Sequence, residues 1–508
     1  MATTHSQPDL TAAPQPTTTG PDPAPGPARR TGRWIDDWRP EDGDFWEGGG
    51  KQVARRNLVW SIFAEHLGFS VWLIWSVSSA FLVAQGFDFT PQQLFLLVAL
   101  PNLVGSLLRL PYTFAVPAFG GRNWTIASAA LLLVPTVGFS VAVGDPTTPY
   151  WVFCLIAATA GLGGGNFASS MANINFFYPT AKKGAALGLN AAGGNLGVSL
   201  IQFFLPVVVG GAGIFGLVTA SRGGIHLERA GWLYAGLAVV ATVAAYLFMD
   251  NLGTARSRPR EQLAVVAQKH TWVMSVLYIG TFGSFIGYSA AMPLLIKLNF
   301  WVPEPAPLGT GIYFAYFAFL GALVGSLTRP LGGWLADRYG GARVTLAAFG
   351  GMVVFTLGVL ATLLRLTPNP TADPAIAADN QGLFPLFLGC FLLVFASTGI
   401  GNGSTYKMIP AIWRAGAVAT TAAGTPERDR ALLTSTRQAS SALGVIGAVG
   451  AIGGFLIPLA FSAPWVDSPL QATQGAFVVF TGYYVVCALV VWAVYLRRSR
   501  SAVGRAEV

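Results

Sequence analysis

The sequence predicts an all-α integral membrane protein of twelve transmembrane helices, arranged as two pseudo-symmetric six-helix halves. Three observations carry this. Of 508 residues, 53% are hydrophobic and only 10% charged, with a mean hydropathy of +0.55; a soluble domain carries roughly a quarter charged residues. The apolar residues fall in runs of about 20, the length that crosses the hydrocarbon core of a bilayer. The phrase VGSL-x-Arg occurs twice, at 104–109 and 324–329, and each arginine is followed eleven residues later by Gly-Gly.

The helices follow in order from runs bounded by charge or by Pro/Gly turns. Helix 1 (57–85) follows Lys51, Arg55 and Arg56 and stops before Asp88. Helices 2 (92–117) and 3 (124–143) are parted by Gly120-Gly121, and helices 4 (150–178) and 5 (185–210) by Lys182-Lys183. Helix 6 (229–249) runs into the polar linker DNLGTARSRPREQLAVVAQKH. Helix 7 (271–296) ends before Lys297. Helices 8 (309–336) and 9 (344–364) flank Asp337, Arg338 and Arg343. Helices 10 (383–412) and 11 (432–462) enclose a long loop, WRAGAVATTAAGTPERDRALLTSTRQ at 413–438, and helix 12 (473–496) stops at Arg497-Arg498.

The chain thus divides into a tail (1–50), a first half (51–250), a linker (251–270), a second half (271–497) and a basic tail (498–508). Residues 1–32 are rich in Pro, Thr, Ala and Gly, and the tail is expected to be disordered. Within it, RWIDDWRPEDGDFW mixes tryptophan with charge and reads either as a membrane-surface segment or as a solvated tail.

Lys and Arg crowd the loops on the side of the two termini. The opposite loops hold only Arg222, Arg229, Lys297 and Arg365. This bias predicts a cytoplasmic (inner) membrane location with both termini in the cytoplasm. The net charge of +9 is spread over loops and tails, which argues against a nucleic-acid partner. Cys154, Cys390 and Cys487 lie singly in apolar runs, and His5, His66, His226 and His270 have no ligand spacing. No metal, cofactor or enzyme chemistry is expected, and no added soluble domain suggests a sensor. The lipid bilayer is the expected surrounding, and a monomer the expected state.

The two arginines pose the functional question. Eleven residues at 1.5 Å each place them about 16 Å above the helix end, near the midplane of a roughly 30 Å core. An arginine there is costly and needs a partner. A structural salt bridge is the ordinary explanation, yet Glu65 is the one acidic residue well inside a span. One glutamate cannot neutralise two arginines, so a substrate anion is the expected partner. Guanidinium forks suit planar oxyanions and stay charged at any physiological pH.

Glycine is concentrated in GLGGGNFASSMANINFFYP (161–179), GLNAAGGNLG (188–197) and GVIGAVGAIGG (444–454), with an echo of the first in GIGNGS (399–404). Small residues let helices approach closely, which also narrows any pathway between them. Matched features in the two halves are the mark of a transporter whose site lies at their interface.

These motifs resemble the nitrate/nitrite porter family of the major facilitator superfamily. The resemblance rests on the two glycine-rich signatures of helices 4–5 and 10–11, on LYIGTFGSFIGYSAAMP (277–293), on both arginine segments, and on GGWLADRYGGAR (332–343). It covers about residues 51–498. It implies a major-facilitator-type fold with Arg109 and Arg329 gripping the anion, Tyr278 and Asn195 adding hydrogen bonds, and Phe167 and Phe282 flanking it. It also implies conformational roles for Asp337, Arg338 and Arg343, and for Gly163, Gly164 and Gly165; the first-half counterpart of the loop motif has Pro117 where Asp337 stands. A ring face repels an anion, so the two phenylalanines are expected to act as plates that admit a flat ion.

The implied substrates are nitrate and nitrite, as in nitrate assimilation. Two facing arginines repel each other when the site is empty, which favours nitrate/nitrite exchange, as does the long 413–438 loop. The alternatives are nitrate/proton symport through Glu65 or His66, the candidates for proton coupling, and carriage of another small anion.

Overall fold

The computed structural model describes residues 33–214, 217–219, 224–255, 264–302, 310–368, 373–463, 466 and 468–497. The tail through residue 32, the linker at 256–263 and the basic tail at 498–508 lie outside the described residues.

Among the described residues twelve helices are long and apolar enough to cross a membrane: Gly43–Phe81, Pro91–Phe119, Gly121–Gly144, Tyr150–Phe177, Thr180–Val208, Glu228–Phe248, Lys269–Phe300, Phe314–Tyr339, Gly341–Leu363, Phe384–Thr420, Pro426–Phe461 and Pro469–Leu496. They are helices 1–12 below. The end of the bundle where helix 1 begins and helix 12 stops is the terminal end; the opposite is the far end.

Local chemistry sets the helix ends. Thr90 and Gln93 form a capping box at the start of helix 2. Thr425 caps helix 11, with Pro426 at its first position and Glu427 and Asp429 in its first turn. Gly120 and Gly340, which separate helices 2 and 3 and helices 8 and 9, both hold φ at +90°, a conformation glycine adopts without the cost a Cβ brings. The repeated Gly-Gly is therefore one corner built twice.

The duplication extends into the helix contacts. Helix 4 lies on helix 2, and helix 10 on helix 8. A Cβ at Gly161 would fall 2.6 Å from the Gly105 nitrogen, and one at Gly399 would strike the Gly325 carbonyl. Gly105 and Gly325 are the glycines of the two VGSL phrases; Gly161 and Gly399 open the two glycine echoes. Backbone meets backbone at equivalent points of each half.

Two expectations are corrected. The tail was expected to be disordered through residue 50, but residues 33–50 are folded. Trp34–Ile35 pairs in parallel with Asn251–Leu252, Asp42 caps a helical turn that runs into helix 1, and Ile35, Trp38 and Trp46 are buried against Ile174, Phe177 and Leu252. Burying three large apolar side chains supplies the driving force that composition alone concealed. The segment at 413–438 is not a long loop either. Helix 10 continues to Thr420 and helix 11 starts at Pro426, because alanines sustain the first and a proline-led cap starts the second. The argument for exchange drawn from that loop falls with it.

Candidate functional site

Helices 2 and 8 deliver Arg109 and Arg329 to one place between the halves, both buried. Arg109 donates from Nε to the Gly164 carbonyl on helix 4 (3.1 Å) and from Nη1 to the Gly447 carbonyl on helix 11 (3.2 Å). Its Nη2 has no hydrogen-bond partner, and neither has Nη1 of Arg329. Two charged forks thus each present a free N–H in the buried interior of the bundle, where an unmet donor on a cation is expensive.

Aromatic rings hold the guanidiniums in place. Arg109 lies 4.7 Å from the Phe282 centroid, 4.9 Å from Phe167 and 5.3 Å from Trp72. Arg329 lies 5.5 Å from Phe167 and 5.5 Å from Tyr406. Phe167 therefore touches both cations, and its electronegative faces offset part of their mutual repulsion. Phe167 and Phe282 stack with centroids 6.1 Å apart at 24°, and Phe282 stacks on Tyr278 at 5.3 Å and 15°. Helix 7 makes a π turn at Ile279–Gly283, immediately after Tyr278. Such turns re-aim side chains at functional sites. The buried Tyr278 hydroxyl lies beside the Arg329 guanidinium and within electrostatic reach of both arginines.

The glycine run of helix 11 makes the room. Gly447 faces Arg109, and a Cβ at Gly450 would enter the Tyr278 ring. Gly163 packs on the Gly68 backbone of helix 1, Gly164 on Trp72, and Gly165 on the Tyr112 ring. All three seat helix 4 against helices 1 and 2, and Gly164 also supplies an acceptor to Arg109.

The structure thus joins five of the six expected binding residues. The sixth, Asn195, is buried on helix 5 with both amide atoms unpaired, beside Gly194, where a Cβ would overlap the Glu65 carboxyl. Glu65 is fully buried; its Oε2 accepts from Asn190 Nδ2 at 2.7 Å, the Ser170 hydroxyl also lies at its carboxyl, and it is within electrostatic reach of Arg109 and Arg329. His66 turns elsewhere, to the Gly193 carbonyl at 3.1 Å.

Asp337 pairs with Lys407 of helix 10, at 2.9 and 2.7 Å. Arg338 lies against the rings of Trp334 and Tyr339, and Arg343 is exposed at the start of helix 9. The ion pair that links helix ends here is therefore Asp337–Lys407. Sequence reasoning also missed Trp72 and Tyr406. Each sits in an apolar or glycine-rich phrase with nothing to set it apart from a packing aromatic.

The site is closed on its far side. Toward the far end Trp72, Asn102, Gln202, Phe285 and Ser289 are at most 1% exposed. Ser76 Oγ donates to the Ser289 and Ala290 carbonyls, and Gln202 Nε2 donates to Ser289 as well, sealing helices 1, 5 and 7 together. Toward the terminal end Arg329, Phe167 and Met171 keep 5–7% exposure and Tyr406 is half-buried.

Comparisons with known proteins agree with this architecture. Residues 67–414 match the Major Facilitator Superfamily. The chain is 40% identical over 474 residues to the nitrate/nitrite transporter NarU of Escherichia coli (strain K12), covering 92% of this chain and 97% of that one. It is 37% identical to the probable nitrate/nitrite antiporter NarK2 of Thermus thermophilus, over 75% of this chain and 83% of that one. Among solved structures, a D-xylose-proton symporter aligns with a TM-score of 0.54 at 14% identity, over 86% of this chain and 96% of that one. A bacterial homologue of the human lysosomal transporter Spinster aligns with a TM-score of 0.56 at 14% identity, over 86% and 95%; at such identity these two speak for the fold alone. The helix pattern, the duplicated halves and the sequence identity together make this multi-pass membrane protein a member of the nitrate/nitrite porter family of the major facilitator superfamily, a family of transporters and not of enzymes.

Proposed function

We propose that the chain carries nitrate and nitrite across the cytoplasmic membrane by alternating access, with the anion held between Arg109 and Arg329 and its termini in the cytoplasm. One observation carries the reading: two buried guanidiniums, one from each half, each offer an N–H without a partner beside the Tyr278 hydroxyl. The relatives named as nitrate/nitrite transporters support the choice of anion. A planar monoanion accepts hydrogen bonds from both forks at once, and so draws the halves together when bound. Phe167 and Phe282 stack against the forks, and on this reading their flat faces favour a planar ion over tetrahedral dianions.

Exchange follows from the charge. With the site empty the two guanidiniums repel each other with only Phe167 and Glu65 to offset them, so reorientation is fastest with an anion aboard. Labelled nitrate taken up by reconstituted vesicles against internal nitrite tests this. Uptake should require internal anion and should be competed by nitrite far better than by sulfate; sulfate uptake comparable to nitrate uptake would overturn the reading.

A second reading, nitrate/proton symport, is favoured by Glu65. Its carboxylate, buried in electrostatic reach of the pair, can offset one guanidinium when the anion has left and take a proton when it returns. Uptake into anion-free vesicles driven by an inward proton gradient, and abolished in Glu65→Gln, would favour it over exchange.

A further inference from the structure

Lys297 is a buried cation that the arginine site does not use. It sits near the far end of helix 7, 8% exposed. Its Nζ donates to the Ala80 carbonyl in the last turn of helix 1 at 2.7 Å, and lies 5.7 Å from the Trp301 ring. No carboxylate among the described residues pairs with it. An ammonium buried with one carbonyl and one ring face is poorly compensated. A packing role would be filled as well by methionine or leucine.

Its surroundings give the charge a purpose. The described far-end loops carry Asp88, Asp145, Glu228, Asp373 and Asp379 against Arg229 and Arg365, so an approaching anion meets a repulsive rim. Lys297 is the buried cation behind that rim. It also belongs to the seal, since Ser289 and Ala290, which take the Ser76 hydrogen bonds, precede it by about two turns on the same helix. Opening the far mouth must part helices 1 and 7, and with them Lys297 and Ala80.

We infer that Lys297 is a second, transient station for small monoanions at the far mouth, and that the Ala80 carbonyl is its occupant when the mouth is shut. The inference rests on the reading of the chain as an anion carrier. When helices 1 and 7 separate, the ammonium exchanges a carbonyl for the incoming anion. When they close, the negative end of the helix 1 dipole reclaims it and the anion is displaced. Latch and station are one side chain, so the mouth cannot close on an anion left at the rim.

Three measurements on the full-length protein test this: nitrate uptake from the far side against concentration, nitrate binding to the purified protein by calorimetry, and labelling of an Ala80→Cys probe by a membrane-impermeant maleimide. Lys297→Gln should raise the uptake KM at least fivefold and label faster, while the calorimetric Kd stays within twofold. Lys297→Arg should restore both. An unchanged KM in Lys297→Gln overturns the station, even if labelling rises. Unchanged labelling overturns the latch. If the unsubstituted protein binds no nitrate at all, it is the carrier reading that fails.

Discussion

Arg109 on helix 2 donates from Nη1 to the carbonyl of Gly447 on helix 11, 3.2 Å away, so a residue of the first half is bonded across the interface to the backbone of the second. The same guanidinium holds Gly164 of its own half through Nε. The rigid planar fork aims Nε and Nη1 at two separate carbonyls and leaves Nη2 in the same plane for a third partner. A lysine ammonium has three N–H groups on one flexible atom and no such fixed spacing. Arg109→Lys and Arg329→Lys should each weaken nitrate binding by tenfold or more, about 1.4 kcal/mol, as read by calorimetry.

The glycines of helix 11 should respond unequally to the same substitution. At Gly447 the nearest atom to an added Cβ is Arg109 Nη1 at 3.9 Å, whereas at Gly450 the Cβ enters the Tyr278 ring. Gly447→Ala should keep nitrate affinity within about threefold. Gly450→Ala displaces Tyr278, and through stacking Phe282, and should cost about 1–3 kcal/mol as an overpacked site. Binding curves for the two variants, side by side, check this.

Phe167 touches both guanidiniums, at 4.9 and 5.5 Å. Phe167→Leu stays apolar but loses the ring faces that position both guanidiniums, and the looser forks should cost nitrate binding about 0.7–1.4 kcal/mol. Nitrate affinity should fall about three- to tenfold and the preference for nitrate over sulfate should shrink. Phe167→Tyr, which keeps the ring, should retain the selectivity in competition uptake.

The folded segment ahead of helix 1 gives a prediction about pH. Glu41 accepts hydrogen bonds from the backbone N–H and the hydroxyl of Thr180, both at 2.8 Å, at the start of helix 5. The Thr180 hydroxyl first, then its N–H, hold the carboxyl below its ordinary value of 4.5. A depressed carboxylate stabilises the docked segment fully above that ordinary value and loses its contribution as pH falls through the depressed one. Fluorescence of Trp38 and Trp46 should therefore stay constant from pH 7 to 5 and change below about pH 4.5. In Glu41→Gln that acid step should vanish.

Much of this was legible in the sequence because membrane folding imposes long-range regularity. Twelve apolar runs, one corner repeated at Gly120 and Gly340, and two arginines with too few acids are all one-dimensional facts. The folded segment at 33–50 was not legible, since Ile35, Trp38 and Trp46 are scattered among charges and owe much of their burial to residues about 130 to 215 positions away. Trp72, Tyr406 and Lys297 were equally hidden. An aromatic in an apolar run looks like packing, and a lysine near a helix end looks like a loop charge, until the chain that faces it is known. The phenylalanines were foreseen as plates for the anion; that their faces cradle the guanidiniums depends on where helix 7 makes its π turn.

Asp250 receives Arg33 at 3.0 Å as well as Arg56 and the Nδ2 of Asn57, while Trp34–Ile35 pairs with Asn251–Leu252. The first described residues of the chain and its midpoint are thus stitched side by side at the terminal end. Asn251 and Leu252, and the turn at Gly253–Ala255 that follows them, belong to the first body. A reporter or tether placed at residue 33 would consequently ride with the first half, and under the alternating access proposed above would read any movement of the second half as a change of distance from a fixed origin.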